Sequence, residues 1–587
     1  MLSKRTIFVL FIVFLTVPLQ AQIPETDHLR FRPQLNTDFY KQINTYNWLG
    51  TFTIRNSKPA RFNYFVRDRF QSNLLIPAEG NKKWKDEHTL DGLLYWNHWQ
   101  QKMGLYFYSW YQSDKQVSLS NQFGNHRLGL FWQKRFFNQL ELAPYLGYQN
   151  AKNRSHVDWG WDTGARLHLD RYHFNNYTAD LRASTNLDFY PQRQNKEYDV
   201  NSYFTSRFSD FSMDSLFVRW NDLSKEYYVA DSIEQVTINE RELQNKLFYD
   251  LNPTNRLLIQ TKLQSREISY FNGRSIFLFE NYFRYLHLGR KFNFLFTFRT
   301  SDETQDNAGT FTDSRTRQSA FNFDLNYRFN NRHKWTFNFA YVKSQYDTPD
   351  SVVNNDDRDE QRFVFNVRYQ WQISPLLKLD VLAYAYFFHQ MYIYKERSAS
   401  NNWNRIYKIN PRLFYRYGAL SNRLSTEVLA NYTVYDFDAL FHEPRSFVFR
   451  KYILSDSLMI RYYTFQYLGA FGRLELEDKG TFFEQEFAQQ VLQSYQSEFF
   501  TVFLRNRHFL IFQLDVGYTY YRRREWRHVP AKLLNRTLIN SGPYLELSYS
   551  ILPRINFFAS VSYLQVEDSR LPNTQYFSGK LRLNYYL

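Results

Sequence analysis

Apolar and polar residues alternate one by one along several segments of the chain. In residues 321–329 the odd positions are all aromatic or leucine, and the even positions are asparagine, aspartate and arginine. The same alternation recurs, with few exceptions, in residues 180–189, 361–371 and 405–417. Successive side chains of a β-strand point to opposite faces of a sheet, so these segments predict strands with one apolar and one polar face.

The length of the alternating segments favours strands that cross a membrane. Residues 376–394 and 481–504 exceed the usual strand of about 5–6 residues. A tilted spanning strand needs about 9–11 residues, and its remaining length can project as an extracellular hairpin. We therefore predict an all-β fold, a transmembrane antiparallel up-and-down β-barrel. An exported soluble β-protein is the alternative.

Short turns and longer polar stretches also alternate along the chain. Asparagine, aspartate, glycine and proline cluster at the short turns, whereas stretches such as 223–239 and 347–360 are longer and polar. This arrangement predicts short periplasmic turns and longer extracellular loops. The predicted short turns are Asn138, 175–176, Asp210, 252–255, 289–290, 330–331, 374–375, 418–422, 455–457, 505–507 and 552–554.

The spacing of these turns predicts the number of strands. The chain after Asn138 divides into two-strand units that give about 22 strands, and residues 103–112 and 126–137 add another pair. We therefore expect about 24 strands, with a range of roughly 22–26. Bacterial single-chain barrels have an even number of strands, which brings both termini to the periplasmic side. The predicted count of 24 is even.

Composition excludes several other classes of protein. The 587 residues include 57 Phe, 47 Tyr and 13 Trp but no Cys, and mean hydropathy is −0.59. A helical membrane bundle would need about 20 consecutive apolar residues for each helix, and a disordered chain would not be so aromatic. A chain without cysteine has no disulfide framework and no cysteine-ligated metal.

The first residues read as an export signal. Lys4 and Arg5 precede an apolar run over residues 7–17, which is too short to span a membrane comfortably. We predict a secretory signal peptide over residues 1–21, an N-terminal segment over 22–102 and the barrel over 103–587. Because barrels of 22 strands have a lumen wide enough to need a plug, the segment 22–102 either occludes the lumen or forms the first strands.

The C-terminal residues carry a compact motif. Residues 579–587 alternate so that Leu581, Leu583, Tyr585 and Leu587 share one face. This resembles the C-terminal strand signal of Gram-negative outer-membrane β-barrel proteins. The resemblance implies an outer-membrane location, insertion by the barrel assembly machinery, and contact with outer-membrane lipid and lipopolysaccharide.

The predicted size also resembles the barrel of TonB-dependent receptors. That family places a plug domain of well over a hundred residues before its barrel. Here only residues 23–102 precede the predicted barrel, and they contain no recognisable plug. The resemblance therefore identifies a class of large barrels and no specific family.

Basic residues recur on the polar face of the predicted strands. The formal net charge is +16, and it falls once Lys4 and Arg5 leave with the signal peptide. Rings of charge set pore selectivity, so these residues could line a pathway for anionic or glycan solutes; alternatively, they pair with acids on neighbouring strands. Their dispersal argues against nucleic-acid binding. The predicted lumen-lining residues are Arg166, Arg182, Lys262, Arg266, Arg328, Arg362, Arg368, Lys408, Arg412 and Arg416.

The sequence contains no recognisable catalytic or cofactor-binding motif. There is no G-x-S-x-G, H-E-x-x-H or phosphate-binding glycine loop, and the 13 histidines are scattered. His168 lies two positions before Asp170, a spacing that more simply predicts a hydrogen-bonded pair than a catalytic centre. We expect neither an enzyme nor a cofactor.

Two polar segments are candidate ligand sites. Trp159 and Trp161 alternate with aspartates at a predicted loop tip, where they could stack on a sugar or form an interfacial aromatic pair. An acidic loop near residue 356 offers the hard oxygen ligands that Ca²⁺ prefers, although a solvated acidic loop is the simpler interpretation. The calcium candidates are Asp356, Asp357, Asp359 and Glu360.

The function expected from these features is transport. A wide barrel with a charged interior predicts an outer-membrane channel or a conduit for export or uptake. The alternative is a barrel that does not transport but serves as a surface-binding or assembly component with periplasmic or surface partner proteins.

Overall fold

The computed structural model describes most of the chain from residue 33 to residue 586. The predicted signal peptide over residues 1–21 lies outside the described residues. The described stretches are 33–56, 60–77, 80–115, 120–154, 156–229, 232–270, 273–309, 313–348, 355–441, 443–509, 512–528, 531–549 and 554–586.

These residues form a single antiparallel sheet of 28 strands in which each strand pairs with the next along the chain. The strands are β1 (Gln34–Gln42), β2 (Thr45–Arg55), β3 (Phe62–Leu75), β4 (Lys83–His98), β5 (Gln101–Lys115), β6 (Ser120–Phe136), β7 (Leu140–Asn153), β8 (His156–Phe174), β9 (Tyr177–Phe189), β10 (Gln194–Ser209), β11 (Ser212–Val229), β12 (Ser232–Asn252), β13 (Asn255–Ser269), β14 (Arg274–Leu288), β15 (Phe292–Asn307), β16 (Ser314–Arg328), β17 (His333–Asp347), β18 (Arg358–Ser374), β19 (Leu377–Tyr392), β20 (Asn402–Tyr417), β21 (Leu420–Tyr435), β22 (Phe447–Tyr463), β23 (Gln466–Phe483), β24 (Ala488–Phe509), β25 (Phe512–Arg527), β26 (Leu533–Tyr549), β27 (Ile555–Asp568) and β28 (Leu571–Tyr586).

The first and last of these strands close the sheet into a barrel. β1 pairs antiparallel with β28, from Gln34 opposite Tyr586 to Lys41 opposite Gly579. Arg582 donates a hydrogen bond to the Asp38 carboxylate across this seam at 2.6 Å. Closure removes the unpaired edges that an open sheet would present. The predicted all-β, antiparallel up-and-down barrel is confirmed.

Helices are a minor part of the described residues. They comprise one turn of α-helix, α1 (Lys395–Ser398), and a 3₁₀ turn (Asp438–Leu440). No helix among the residues that the structure describes is long and apolar enough to cross a membrane.

The strand number differs from the predicted 24 because of the N-terminal segment. From β5 to β28 the structure has the 24 strands that the turn spacing predicted, but residues within 22–102 add β1 to β4 and bring the total to 28, above the range of 22–26. In the first half of β4, Lys85 and Asp86 place charges on both faces of the strand. Charges on both faces hide the alternation on which the prediction depended.

Two predicted turns lie inside strands. Residues 455–457 are within β22, where Asn422 donates a hydrogen bond to Asp456 at 2.6 Å. Residues 505–507 are within β24, where Arg505 forms an ion pair with Asp515 of β25 at 2.6 Å. In both places a partner on the neighbouring strand satisfies the polar residue, so the strand continues through a turn-like sequence.

The two ends of the barrel differ in their connections. The end that contains Gln34 and Tyr586, here called the terminal end, carries short turns such as 175–176 and 253–254. The opposite, loop end carries the longer connections, among them 436–446. Much of the polar stretch 223–239, predicted as a loop, is strand in β11 and β12. Extra length at this end therefore projects largely as hairpins.

The register defines two faces that are continuous around the barrel. On the apolar face, Phe296, Phe323, Phe339 and Phe365 lie side by side on β15 to β18. The Phe321 ring contacts those of Phe296 and Phe339, and the centroids of Phe339 and Phe365 lie 4.9 Å apart. We call these five residues the phenylalanine belt.

Two clusters of buried apolar side chains lie on opposite faces. The polar-face cluster occupies the terminal half of β3 to β7, and the loop-end cluster occupies the apolar face at the loop end of β21 to β23. The polar-face cluster comprises Phe65, Leu93, Tyr106, Phe131 and Tyr145. The loop-end cluster comprises Tyr432, Val434, Val448 and Phe482.

Candidate functional site

The ten predicted lumen-lining residues all lie on the polar face. Registered pairs connect them from strand to strand: Lys262 lies opposite Glu280, and Arg412 lies opposite Asp380. Arg182 likewise lies opposite His168. The alternation of the sequence, extended by the strand pairing, therefore assembles one charged surface around the barrel.

Several of these bases pair with an acid on the neighbouring strand. The Lys262 ammonium lies 3.3 Å from the Glu242 carboxylate, and the Lys408 ammonium lies 2.8 Å from that of Glu427. Arg368 contacts Asp380 at 2.5 Å. In each case the partners are diagonal neighbours on one face, within reach of long side chains. This geometry supports the interpretation in which charges on this face neutralise one another.

The remaining predicted residues are less uniformly paired. Arg182 forms an ion pair with Asp180 of its own strand at 3.3 Å, Arg362 lies over the Phe388 ring at 5.5 Å, and Arg412 donates to the Asn410 amide oxygen. Arg166 also has an interaction partner. Within the described part of the chain, no ion pair forms at Arg266, Arg328 or Arg416.

A buried ionic network on β6 to β9 was missed by sequence reasoning. The Arg127 guanidinium lies 3.4 Å from Asp162 and 3.5 Å from Asp188, and all three residues are buried. The Tyr106 hydroxyl donates to Asp162 at 2.9 Å. One base thus serves two buried acids, an arrangement that a buried charge requires.

Small residues make room for this network. The Tyr106 ring lies flat across Gly129 and Gly147, so a Cβ at Gly129 would stand 2.5 Å from the ring and one at Gly147 would also clash. Tyr106 therefore crosses two strands to reach Asp162. Glycine in a strand often marks such a close approach.

A second ionic contact joins the connection 190–193 to the wall. Arg193 forms an ion pair with Asp158 of β8 at 2.5 Å, and the Tyr228 hydroxyl donates to the same carboxylate at 3.0 Å. The Arg193 guanidinium also stacks 3.9 Å from the centre of the Tyr190 ring. These contacts hold the connection against the strands on both sides.

The sequence predicted a loop tip at Trp159 and Trp161, but both residues lie in a strand. Both are within β8, and alternation places them on the apolar face. Asp158 and Asp162 of the same strand point to the polar face. Their rings lie 5.9 Å and 5.4 Å from that of Tyr148. A sugar could not contact these tryptophans and aspartates together, whereas an interfacial aromatic group fits the arrangement.

The predicted calcium candidates near residue 356 lie among donors from the protein itself. Arg358 lies between Asp356 and Glu360, at 2.8 Å and 2.9 Å. Asp357 accepts hydrogen bonds from the backbone and hydroxyl of Thr348, and Lys343 approaches Asp359 at 3.4 Å. Each carboxylate thus has a donor from the protein, and in β18 Asp359 and Glu360 point to opposite faces. The segment is an ion-paired hairpin base.

His168 belongs to a small cluster with two aspartates. Its Nε2 lies 3.3 Å from Asp180, and these two residues and Asp170 offer ligand atoms close to one another. Arg182 and Arg171 each approach one of the carboxylates at 3.3 Å. The arginines already neutralise the acids, so the cluster is best described as an ionic group at the terminal end.

Comparisons with known proteins give only distant likenesses. No protein-family model matches the chain, and no curated protein matches it either. Among solved structures, the FrpB iron transporter from Neisseria meningitidis in its apoprotein form is 10% identical, with 73% of this chain and 79% of that chain covered and a TM-score of 0.37. The copper transporter OprC is 9% identical, with 79% and 80% covered and a TM-score of 0.38.

A third structure covers more of the chain at the same similarity. BauA, the ferric preacinetobactin receptor from Acinetobacter baumannii, is 9% identical, with 94% of this chain and 79% of that chain covered and a TM-score of 0.37. The fold of this chain rests on its own strand pairing and on the closure between β1 and β28.

Proposed function

We propose that the chain is an outer-membrane β-barrel that forms a channel or a conduit for export or uptake. The observation that carries the proposal is a closed ring of strands with a phenylalanine belt on one face and charged residues on the other. A closed barrel satisfies every backbone hydrogen bond within a bilayer. Lipid on the apolar face then leaves the charged face to line a water-filled lumen.

The orientation follows from the two ends. Outer-membrane barrels place both termini and the short turns in the periplasm, which assigns the terminal end to that side and the loop end to the cell exterior. This orientation agrees with a cleaved signal peptide over residues 1–21 and insertion by the barrel assembly machinery. Lipopolysaccharide would then surround the hairpins of the loop end.

The lumen proposed here is wide and only weakly selective. Barrel diameter grows with strand number, and β1 to β4 belong to the wall. Pairs such as Lys262 with Glu242 cancel much of the charge on the polar face. Anionic or glycan solutes would therefore be favoured by the positive excess that remains, with a modest preference.

The alternative, a barrel that acts as a surface-binding or assembly component, has one observation in its favour. The polar-face cluster buries Phe65 and Leu93 almost completely on the face proposed to line the lumen. A simple water-filled pore does not need apolar side chains there.

Planar-bilayer conductance of the purified full chain distinguishes the two functions. We expect a steady conductance with a small preference for anions. An electrically silent protein that co-purifies with envelope proteins would contradict the channel and support the scaffold. Fractionation of the cell envelope tests the outer-membrane location separately.

The assignment of faces has a sharper test because the chain has no cysteine. Thr297→Cys places a thiol on the polar face of β15, and Phe298→Cys places one on the apolar face next to it. A water-soluble maleimide should label position 297 in outer-membrane vesicles and leave position 298 unlabelled. The opposite pattern would overturn the proposed orientation of the faces.

A further inference from the structure

A groove on the polar face crosses β10 to β14 near the terminal end. It encloses about 410 Å³, within the range of about 300–1,000 Å³ typical of small-molecule pockets. Its floor is one registered row in which Met213 lies opposite Phe248 and Phe248 lies opposite Leu258. The floor is therefore apolar over three neighbouring strands, on a face that is otherwise rich in polar groups.

An arginine stands at each end of this row. Arg207 of β10 lies opposite Met213, and Arg284 of β14 lies opposite Leu258. Four strand spacings separate the two arginines, or roughly 19 Å between their backbones. The groove thus presents a positive charge, an apolar surface and a second positive charge in sequence.

These bases share with Arg266, Arg328 and Arg416 the lack of an acidic partner among the described residues. Among the residues that the structure describes, Arg207, Arg284 and nearby Lys246 form no ion pair. Two acids also line the groove: Asp250 is paired with Arg256 at 3.5 Å, and Asp210 lies in the turn between β10 and β11. Arginine binds carboxylates through strong, charge-assisted hydrogen bonds, so two unpaired guanidinium groups beside an apolar floor are suited to an anionic ligand.

We propose that this groove binds a linear anionic amphiphile with a carboxylate at each end. Its apolar middle would lie on Met213, Phe248 and Leu258, and its carboxylates would contact Arg207 and Arg284. Burial of the chain supplies an apolar contribution, and the two charged contacts fix its orientation. Binding at this groove does not require the barrel to conduct.

Calorimetric titration of the detergent-solubilised full chain with sebacate tests the proposal. Sebacate should bind, whereas sebacamide, which has the same carbon chain without charge, should not. Decanoate, with one carboxylate, should bind more weakly. Arg207→Gln and Arg284→Gln should each weaken sebacate binding by about tenfold or more, since hydrogen bonds to charged groups are stronger than neutral ones.

Arg290→Gln is the matched control. Arg290 lies in the connection between β14 and β15 at the same end, outside the groove, so its substitution should leave the affinity unchanged. Each variant is folded if its unheated sample migrates faster in electrophoresis than the same sample after heating, as folded barrels do. Equal sebacate affinity in wild type and in both groove variants, equal binding of sebacamide, or no binding to folded wild type would each overturn the proposal.

Discussion

The polar-face cluster and the loop-end cluster are both buried, yet they are built in different ways. In the polar-face cluster, Tyr106 reaches along the wall to Asp162, and every contributing residue lies on a barrel strand. In the loop-end cluster, the Phe482 ring packs on Tyr432, and Phe487 from the connection 484–487 completes the group at 5.6 Å from Phe482.

The polar-face cluster therefore bears on the stability of the whole barrel, and the loop-end cluster on the order of the connection 484–487. The β23–β24 hairpin changes register beside Gly480, and its tip folds over the apolar face, where Glu484 reaches Arg405 of β20 at 2.9 Å. Loss of the polar-face cluster should therefore weaken the whole barrel. Loss of the loop-end cluster should release mainly this tip.

The largest effect is expected from Arg127→Met. The substitution leaves Asp162 and Asp188 buried without their shared base, and removing one partner of a buried ion pair costs about 3–5 kcal/mol. Denaturant unfolding of the barrel should show this loss globally. Arg182→Met is the control, because its pair with Asp180 is exposed and should cost no more than about 1 kcal/mol. Equal losses in the two variants would contradict a distinct buried network.

Phe482→Ala should lower the free energy of unfolding by an amount similar to that of Arg127→Met, but only locally, at the loop end. The ring is 2% exposed, and Phe→Ala substitutions in cores cost about 3–5 kcal/mol. Limited proteolysis should cut the connection 484–487 faster, while the unfolding midpoint of the barrel changes little. Phe500→Ala, at a half-exposed position on the same face, should leave the connection protected. A global loss of stability would break the comparison.

Gly129→Ala should have an intermediate effect. The added methyl would meet the Tyr106 ring at 2.5 Å, and overpacking typically costs about 1–3 kcal/mol. Thermal unfolding measures the loss. At Gly472 a Cβ would find its nearest neighbour 3.9 Å away, so Gly472→Ala should be tolerated. Unchanged stability of the Gly129 variant would mean that Tyr106 has another place to lie.

The smallest effect is expected from Glu484→Gln. This exposed pair with Arg405 should contribute less than about 1 kcal/mol. The variant should show slightly faster proteolysis of the hairpin tip at low salt, and the difference from wild type should disappear at high salt because exposed charges are screened. A salt-independent effect would show that Glu484 acts through packing.

The fold could be predicted from sequence wherever one face of a strand is apolar. Residues 321–328 of β16 alternate regularly, because its apolar face carries Phe321 and Phe323 there and its polar face carries Asn322 and Asp324. The first half of β4 is charged on both faces, and its strand was therefore not recognised. Period two is a property of the backbone, but it is visible only when the two environments differ.

Partners on the polar face could not be predicted in the same way. Alternation placed Arg368 and Asp380 on one face, but the pair between them depends on the register of β18 against β19. The hydrogen bond from Tyr106 to Asp162 further requires glycines on the two strands between them. Register sets such contacts, and a sequence without known pairings does not contain it.

The seam between β1 and β28 has a consequence for biogenesis. Asp38 and Arg582 are 544 positions apart, so the ring closes only after almost all of the chain has been made. Every shorter nascent chain has two unpaired edges, which other strands could join. Copies of the polypeptide must therefore be kept from associating with one another until β28 is available to pair with β1. A chain truncated before Arg582 should aggregate rather than form a smaller pore.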